Sequence, residues 1–423
     1  MVTSRERLQT TLNHRQPDRV CVDVGATFVS GIHASTVSRL RAALLGEPGY
    51  RVKITHLLQL NGEIDEKLRS ALPVDVAGVA GPTNVFGFPN DSWKPWQLFD
   101  GTPVLVPGGF NPTVDSEGNL LMYPKGDHSY PPSALMPQGG FYFDPIIRQD
   151  PINEAALDPA DNCEEFSLIG ETDLAEFAAQ TAQLATKTSY GIFGTPPGIW
   201  GLGDAMLVPA VGLPHPRGIR DPEEWYISLV ARPDYVQAVF EYQTQLMIEN
   251  IHRLADLVGD QLQVVRICGT DFGGQAGMLI SLPTYREVFS PYYRRVNAAV
   301  HELTGWKTFK HCDGSIVDLI PDLVEDGFDV LNPVQTSTAR MDPRLLKREF
   351  GDRIVFWGAG VETQTTLPFG TPDEVYREVR ERIDIFNDGG GFVLAAIHNI
   401  QPGIPVPNLM AMFQAIRDSW AES

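Results

Sequence analysis

The chain has 423 residues, enough for one large domain or two ordinary ones, and 43% of them are hydrophobic, so a substantial core can form. A formal net charge of −20 speaks against a nucleic-acid binder, which needs a basic footprint, and no run of about 18 apolar residues is present to span a membrane. The opening MVTSRERLQTTLNHRQPDRV lacks the apolar stretch of a secretory signal. The four cysteines (Cys21, Cys163, Cys268, Cys312) lie far apart with no C-x-x-C pair, so a cytoplasmic protein with reduced thiols is expected.

SRERLQTTLNHRQ reads as a helix opened by Ser4, with Leu8 and Leu12 on one face. PDRVCVDVG follows as a Pro-started, Val-rich buried strand ending at Gly25. Similar short runs recur at 74–81, 188–194, 262–269, 306–311, 328–333, 353–360 and 391–398. Amphipathic segments follow the later ones, among them PTYREVFSPYYRRVNAAVHEL, SIVDLIPDLVEDG and TPDEVYREVRERIDIFNDGG. Eight strand-like runs alternating with helices predict the α/β class and a single (β/α)8 TIM barrel over residues 1–423. An open doubly wound sheet is the competitor. Against it, no G-x-G-x-x-G opens a helix after the first strand, and GGG at 389–391 precedes a strand instead. The stretch from about 82 to 165 is rich in Pro, Gly, Asn and Asp without helical period. It predicts a long loop-rich insertion of loops and hairpins after the second strand, bounded within the domain at 82–185 and placed to act as a lid over the barrel mouth.

Function in such a barrel collects at the C-terminal ends of the strands. Those positions are Asp23 on the first strand, Asp271 and Gln275 after the fourth, and His311, Cys312 and Asp313 after the fifth. Asn332 and Gln335 follow the sixth, Glu362 and Gln364 the seventh, and His398 and Asn399 the eighth. Strand alternation turns His311 and Asp313 to one side and Cys312 to the other. If His311 faces the axis, an H-x-D pair results, with His398 as a third ligand. Such a set suits Zn²⁺ with an open position, and also Mn²⁺ or Fe²⁺. A register shifted by one would bring Cys312 inward instead. Plainer roles compete. Asp313 could cap the next helix through the amides of residues 315 and 316, Asp271 could be a turn residue, and Gln335 and Gln364 could tether loops. Cys312 could be a small buried hydrophobe, and Arg15 and Arg19 surface charges.

SRERLQTTLNHRQPDRVCVD, GTDFGGQAGMLISLPTYREVFSPYYRRV, FKHCDGSIVDLIPDLVEDGFDVLNPVQ and LLKREFGDRIVFWGAGVETQTTLPFGTPDEVYREV together resemble the uroporphyrinogen decarboxylase superfamily, in its cobamide-dependent, O-demethylase-like methyltransferase branch. GGGFVLAAIHNIQPGIPVPNLMAMFQAI completes the resemblance, and residues 85–185 are not covered by it. The resemblance implies a barrel with its active site in a deep cleft at the strand ends. The decarboxylases carry arginines in an RQAG-type segment after the first strand. VDVGATFVSGI stands there in this chain, with no arginine, so porphyrinogen decarboxylation is not expected. The methyltransferases tend to carry H-x-C after the fifth strand and a late cysteine, binding zinc. Anchored on Gly314, these positions fall on His311, Asp313 and His398.

Two imidazoles and a carboxylate leave an ion more Lewis acidic than thiolates do, which suits an ether or alcohol oxygen. The implied function is metal-dependent transfer of a methyl group between a methylated, typically methoxylated, small molecule and a corrinoid (cobalamin). Asp271, Glu362 and His398 are the candidate catalytic groups, and Gln275, Asn332, Gln335 and Gln364 the candidate cofactor contacts. No D-x-H-x-x-G corrinoid-attachment motif occurs, so a separate corrinoid protein is expected as partner. Homodimers are common in the family. Alternatives are a decarboxylase of a carboxylated tetrapyrrole or other acid, and a catalytically silent tetrapyrrole- or corrinoid-binding protein.

Overall fold

A computed structural model describes residues 2–421. Eight parallel strands form its centre: β1 (Cys21–Val22), β2 (Val76–Ala80), β3 (Gly191–Thr195), β4 (Val264–Cys268), β5 (Lys307–His311), β6 (Val330–Asn332), β7 (Val355–Ala359) and β8 (Phe392–Ala395). Their order is β1-β8-β7-β6-β5-β4-β3-β2, a TIM barrel closed except for a ladder between β1 and β2. At that seam the Asp75 N–H donates to Val22 C=O (2.8 Å) and the Val22 N–H donates to Asp75 Oδ2 (3.1 Å). The Asp75 carboxylate thus stands in for a strand partner. It is fully buried, so it requires pairing, and Arg7 (2.7 Å) and Arg19 (2.9 Å) supply it. Arg19 is therefore not a surface charge; its guanidinium also lies 3.5 Å from the Trp420 ring centroid.

The period-2 pattern of the strands explains the interior. Phe193, Val264, Phe309, Val355, Trp357 and Val393 all turn inward and pack together. Phe193 meets Phe309 edge-on at 4.8 Å, and Trp357 stands 5.6 Å from Phe193. Leu8 and Leu12 of α1 (Ser4–Leu12) join this cluster from below. At the start of β3, a Cβ on Gly191 would lie 2.3 Å from Leu8 Cδ2, so only glycine admits the plug. Helix α1 is capped by Thr3, in a capping box with Glu6, and Ser4 instead donates to Asp75 at 2.7 Å.

The outer layer comprises α2 (Glu171–Lys187), α3 (Pro233–Val258), α4 (Ser290–Leu303), α5 (Ile320–Glu325), α6 (Pro343–Phe350), α7 (Pro372–Phe386) and α8 (Val406–Ala421), alternating with the strands. In α7 the buried Val375, Val379, Ile383 and Phe386 recur at helical spacing, and Thr371 and Glu374 form its capping box. No helix among the described residues is long and apolar enough to cross a membrane.

Residues 82–165 carry short antiparallel strands between their loops, as the hairpin reading expects. Thr113–Val114, Leu120–Met122, Ala134–Met136 and Asp144–Pro145 form an antiparallel meander. Lys94–Gln97 and Pro103–Val106 join Val52–His56 and Asn61–Gly62, from before β2, in a second sheet. The last part of the 82–185 segment is the barrel-layer helix α2. The insertion reaches the strand ends: Tyr142 hydrogen-bonds to Gln401 in the loop after β8, and Phe141 meets His33 edge-on at 5.7 Å.

Candidate metal centre at the barrel mouth

Regular alternation along β5 points Phe309 and His311 into the barrel and Lys310 outward, where its Nζ donates to Thr270 C=O (2.6 Å). Beyond the strand, Asp313 returns to the His311 side. Cys312 faces away, and its sulfur accepts the Phe272 N–H at 3.2 Å. Burial pushes the Cys312 thiol up to about 12, so it is a poor thiolate source. Gly314 follows with φ +87°, and a Cβ there would meet the Gly273 carbonyl carbon at 2.3 Å. The loops after β4 and β5 therefore touch backbone to backbone, which fixes Asp313 from below. The Asp313 N–H donates to Asp271 Oδ1 (2.7 Å), and the Gly314 N–H donates to Gln335 Oε1 (3.0 Å).

His311, Asp313 and His398 come together with one ligand atom each, all within 4.8 Å of one another. Asp313 Oδ2 lies 3.2 Å from His311 Nε2 and 3.9 Å from His398 Nε2, and the ring centroids are 5.6 Å apart. Both rings are oriented through their other nitrogen. Asn332 Nδ2 donates to Trp357 C=O (2.8 Å), which turns Asn332 Oδ1 to accept from His311 Nδ1 (2.6 Å). Asn399 Oδ1 accepts from His398 Nδ1 and from Gln401 Nε2 (2.6 Å). With each Nδ1 donating to an asparagine, each Nε2 is the ring atom that faces the carboxylate, as in histidines that ligate a metal.

The charges respond accordingly. Burial opposes ionisation of Asp313, yet the two imidazoles win and hold its carboxyl below the usual range. Burial likewise works against a charged His311, but the Asp313 carboxylate raises it. His398 is lowered, by burial first, and so favours the neutral ligand form. Asp271 is raised by burial, with Asp313 adding to the effect. In an apo protein, His311 and Asp313 thus form an ion pair whose proton a cation would displace.

A cleft of about 380 Å³ opens over this cluster, lined in part by Gln275, Asp313, Gln335, Gln364, His398 and Gln401. Three of the four expected amide contacts are on its wall; the fourth, Asn332, is the ring orienter beneath His311. Asp271 stands behind Asp313 and does not line the cleft. Glu362 is buried away from it, accepting the Gln364 N–H (2.9 Å) while its own N–H donates to Glu378 (3.0 Å). Asp23 also points inward, where Trp357 Nε1 donates to it at 2.9 Å.

Sequence reasoning passed over Arg266. It sits inside β4, in the apolar run LQVVRICG, and borders a second cavity of about 490 Å³ walled by Phe28, Leu57, Trp200 and Val211 among others. Its signal was a lone arginine in phase with the inward Val264. Asn399 and Gln401, too, give no hint of their support role in one dimension.

Residues 215–419 match the sequence model of the family described as uroporphyrinogen decarboxylase. In fold, the chain is similar to a methyltransferase from Methanosarcina mazei, with 15% identity, 99% of each chain covered and a TM-score of 0.54. It also aligns over 61% of its length with 68% of a bacterial Ig-like-domain xylanase from termite gut, at 10% identity and a TM-score of 0.36. No curated protein matches it in sequence. Over residues 215–419, then, the chain is similar to the uroporphyrinogen decarboxylase family.

Proposed function

We propose that the protein is a metal-dependent methyltransferase that moves a methyl group between a methoxylated small molecule and a corrinoid carried on a separate protein. The observation that carries this reading is the convergence of His311 Nε2, His398 Nε2 and one Asp313 oxygen below an open cleft, with both rings braced by asparagines. The donor set fits a divalent cation: two imidazoles and a carboxylate within a common reach, beside an open cleft. When bound, a cation such as zinc supplies Lewis acidity that stabilises the oxygen left behind when a methyl group departs.

The chain's own residues supply the rest. Asn332 and Asn399 hold the rings; Asp271 holds the Asp313 backbone and so positions the ligand rather than touching substrate. Glu362 braces the loop that presents Gln364. Gln275, Gln335 and Gln364 offer amide contacts at the cleft wall, Gln335 through what remains after its bond to Gly314. The fold likeness to a methyltransferase is compatible with this reading, and the thiolate-free donor set favours a methyl ether or ester over a thiol partner.

The test is metal analysis of the purified wild type and His311→Ala, followed by a screen of methoxylated compounds with cob(I)alamin. The expected result is about one divalent ion per chain in the wild type, its loss in His311→Ala, and methyl transfer that follows the metal. Carbon dioxide release from an acid, independent of metal, would replace this reading with a decarboxylase.

A further inference from the structure

Four arginines are buried: Arg7, Arg41, Arg220 and Arg266. Three have an acid at 2.7 Å, namely Asp75, Asp65 and Glu165 respectively. Arg266 has none. It is 0% exposed, and its Nε, Nη1 and Nη2 are all without a hydrogen-bond partner among the described residues. A guanidinium taken out of water with none of its five donors used is among the costliest arrangements a fold can hold.

The surroundings accommodate the group without satisfying it. A Cβ on Gly269 would lie 2.2 Å from Arg266 Nη2, so glycine clears the space the guanidinium occupies. The guanidinium carbon stands 4.2 Å from the Phe28 ring centroid and 5.5 Å from that of Trp200. Phe28 is itself stacked on His56 at 4.5 Å. Of the two acids bordering the same cavity, Asp204 attracts the Arg266 guanidinium electrostatically but makes no hydrogen bond to it. Asp204 accepts the Gly269 (2.9 Å) and Met206 (3.1 Å) N–H groups, and Glu165 pairs with Arg220. The cavity is thus an apolar, aromatic-walled space with one unused fork of donors.

We infer that Arg266 is the anchor for an oxyanion, a carboxylate or a tetrahedral sulfonate or phosphonate, carried by a small apolar molecule that fills this cavity. The planar fork of arginine matches two oxygens at once, and the bound charge supplies the pairing that the protein omits. Arg266 pairs with Phe309 across β4 and β5, two residues before His311 on the same inward face. Strand geometry then puts the Arg266 and His311 Cα atoms roughly 8 Å apart, within the span of one small molecule. That such an acid is the substrate of the methyl transfer rests on the reading above; that the acid binds does not.

The experiment is thermal-shift and calorimetric titration of the full chain as purified. The probes are benzoate, benzenesulfonate and phenylphosphonate, each against its uncharged amide. At least one oxyanion should bind and stabilise the wild type while its amide does not, and the preferred headgroup identifies the anion. Arg266→Gln should weaken that binding by about 30-fold or more, and Arg266→Lys by less. Ligand-free Arg266→Met should melt no lower than the wild type, because it removes an unpaired buried charge. No oxyanion binding, equal binding of acid and amide, or unchanged affinity in Arg266→Gln would overturn the inference. So would a ligand-free Arg266→Met that melts well below the wild type, the mark of a structural arginine. Metal loss in His311→Ala with acid binding intact would separate this result from the fate of the methyl-transfer proposal.

Discussion

Replacing Asn332 by alanine tests the metal reading without touching a ligand. In the wild type, Asn332 accepts from His311 Nδ1 at 2.6 Å and is held in that orientation by its bond to Trp357 C=O at 2.8 Å. Alanine removes the acceptor, so the His311 ring can rotate and its proton can shift to Nε2, the atom that faces Asp313. Loss of such an outer partner costs 10- to 100-fold in metal affinity, or about 1.4–2.7 kcal/mol. Asn332→Asp should act in the opposite sense, since a carboxylate accepting from Nδ1 makes the imidazole more basic. Competition of each protein with a chromogenic chelator for zinc at neutral pH reads these constants directly. Circular dichroism controls for folding, because Asn332 is buried. Wild-type zinc affinity in Asn332→Ala would refute the claim that His311 is presented to a cation through this bond.

Cys312→Ala should leave metal content unchanged, and the native Cys312 should react with a thiol reagent only on unfolding, since it faces away from the cluster with its thiol pushed up to about 12 by burial. Asp329 accepts from Lys307 (3.0 Å), His301 (2.7 Å) and the Thr308 N–H (2.9 Å), tying the start of β5 to that of β6. Burial opposes its ionisation, but these partners hold its carboxyl below the usual 3.8. Asp329→Asn should cost about 2 kcal/mol at pH 7 by urea unfolding. Because the folded-state value is depressed, that difference should persist above the unfolded value and close as pH falls through the lower folded one. Phe193→Ala, at the centre of the inward aromatic cluster, should cost about 3–5 kcal/mol in the same assay, and a loss under 1 kcal/mol would contradict a packed barrel interior.

The eight barrel strands were legible because each carries an apolar inward set bounded by turn residues, and the shared facing of His311 and Asp313 because β5 is regular up to His311. The strand at Val52–His56 was not, and those within the insertion were legible only as hairpins without bounds. Each is two to five residues long, and Pro and Gly in the flanking turns mask so short a period. The supporting asparagines were legible only as polar strand ends. The bond to His311 joins partners on the paired β5 and β6, a contact that strand pairing creates, and the bond to His398 joins chain neighbours in the loop after β8.

Strand β4 shows where alternation itself stops being a guide. Counting by twos from the inward Val264 puts both Arg266 and Cys268 inside the barrel. The pairing with β5 slips between Arg266 and Cys268, where the register jumps from Phe309 to Lys310. This irregularity turns Cys268 outward, where its sulfur meets the Tyr293 hydroxyl at 3.0 Å on α4. Arg266 is thus the last inward residue of its strand, while β5 continues in phase to His311. The one-residue slip ends the inward series of β4 at Arg266, and without it a thiol would stand at the next inward position. The chemistry of this mouth therefore depends on a local break in the ladder as much as on the residues that the ladder presents.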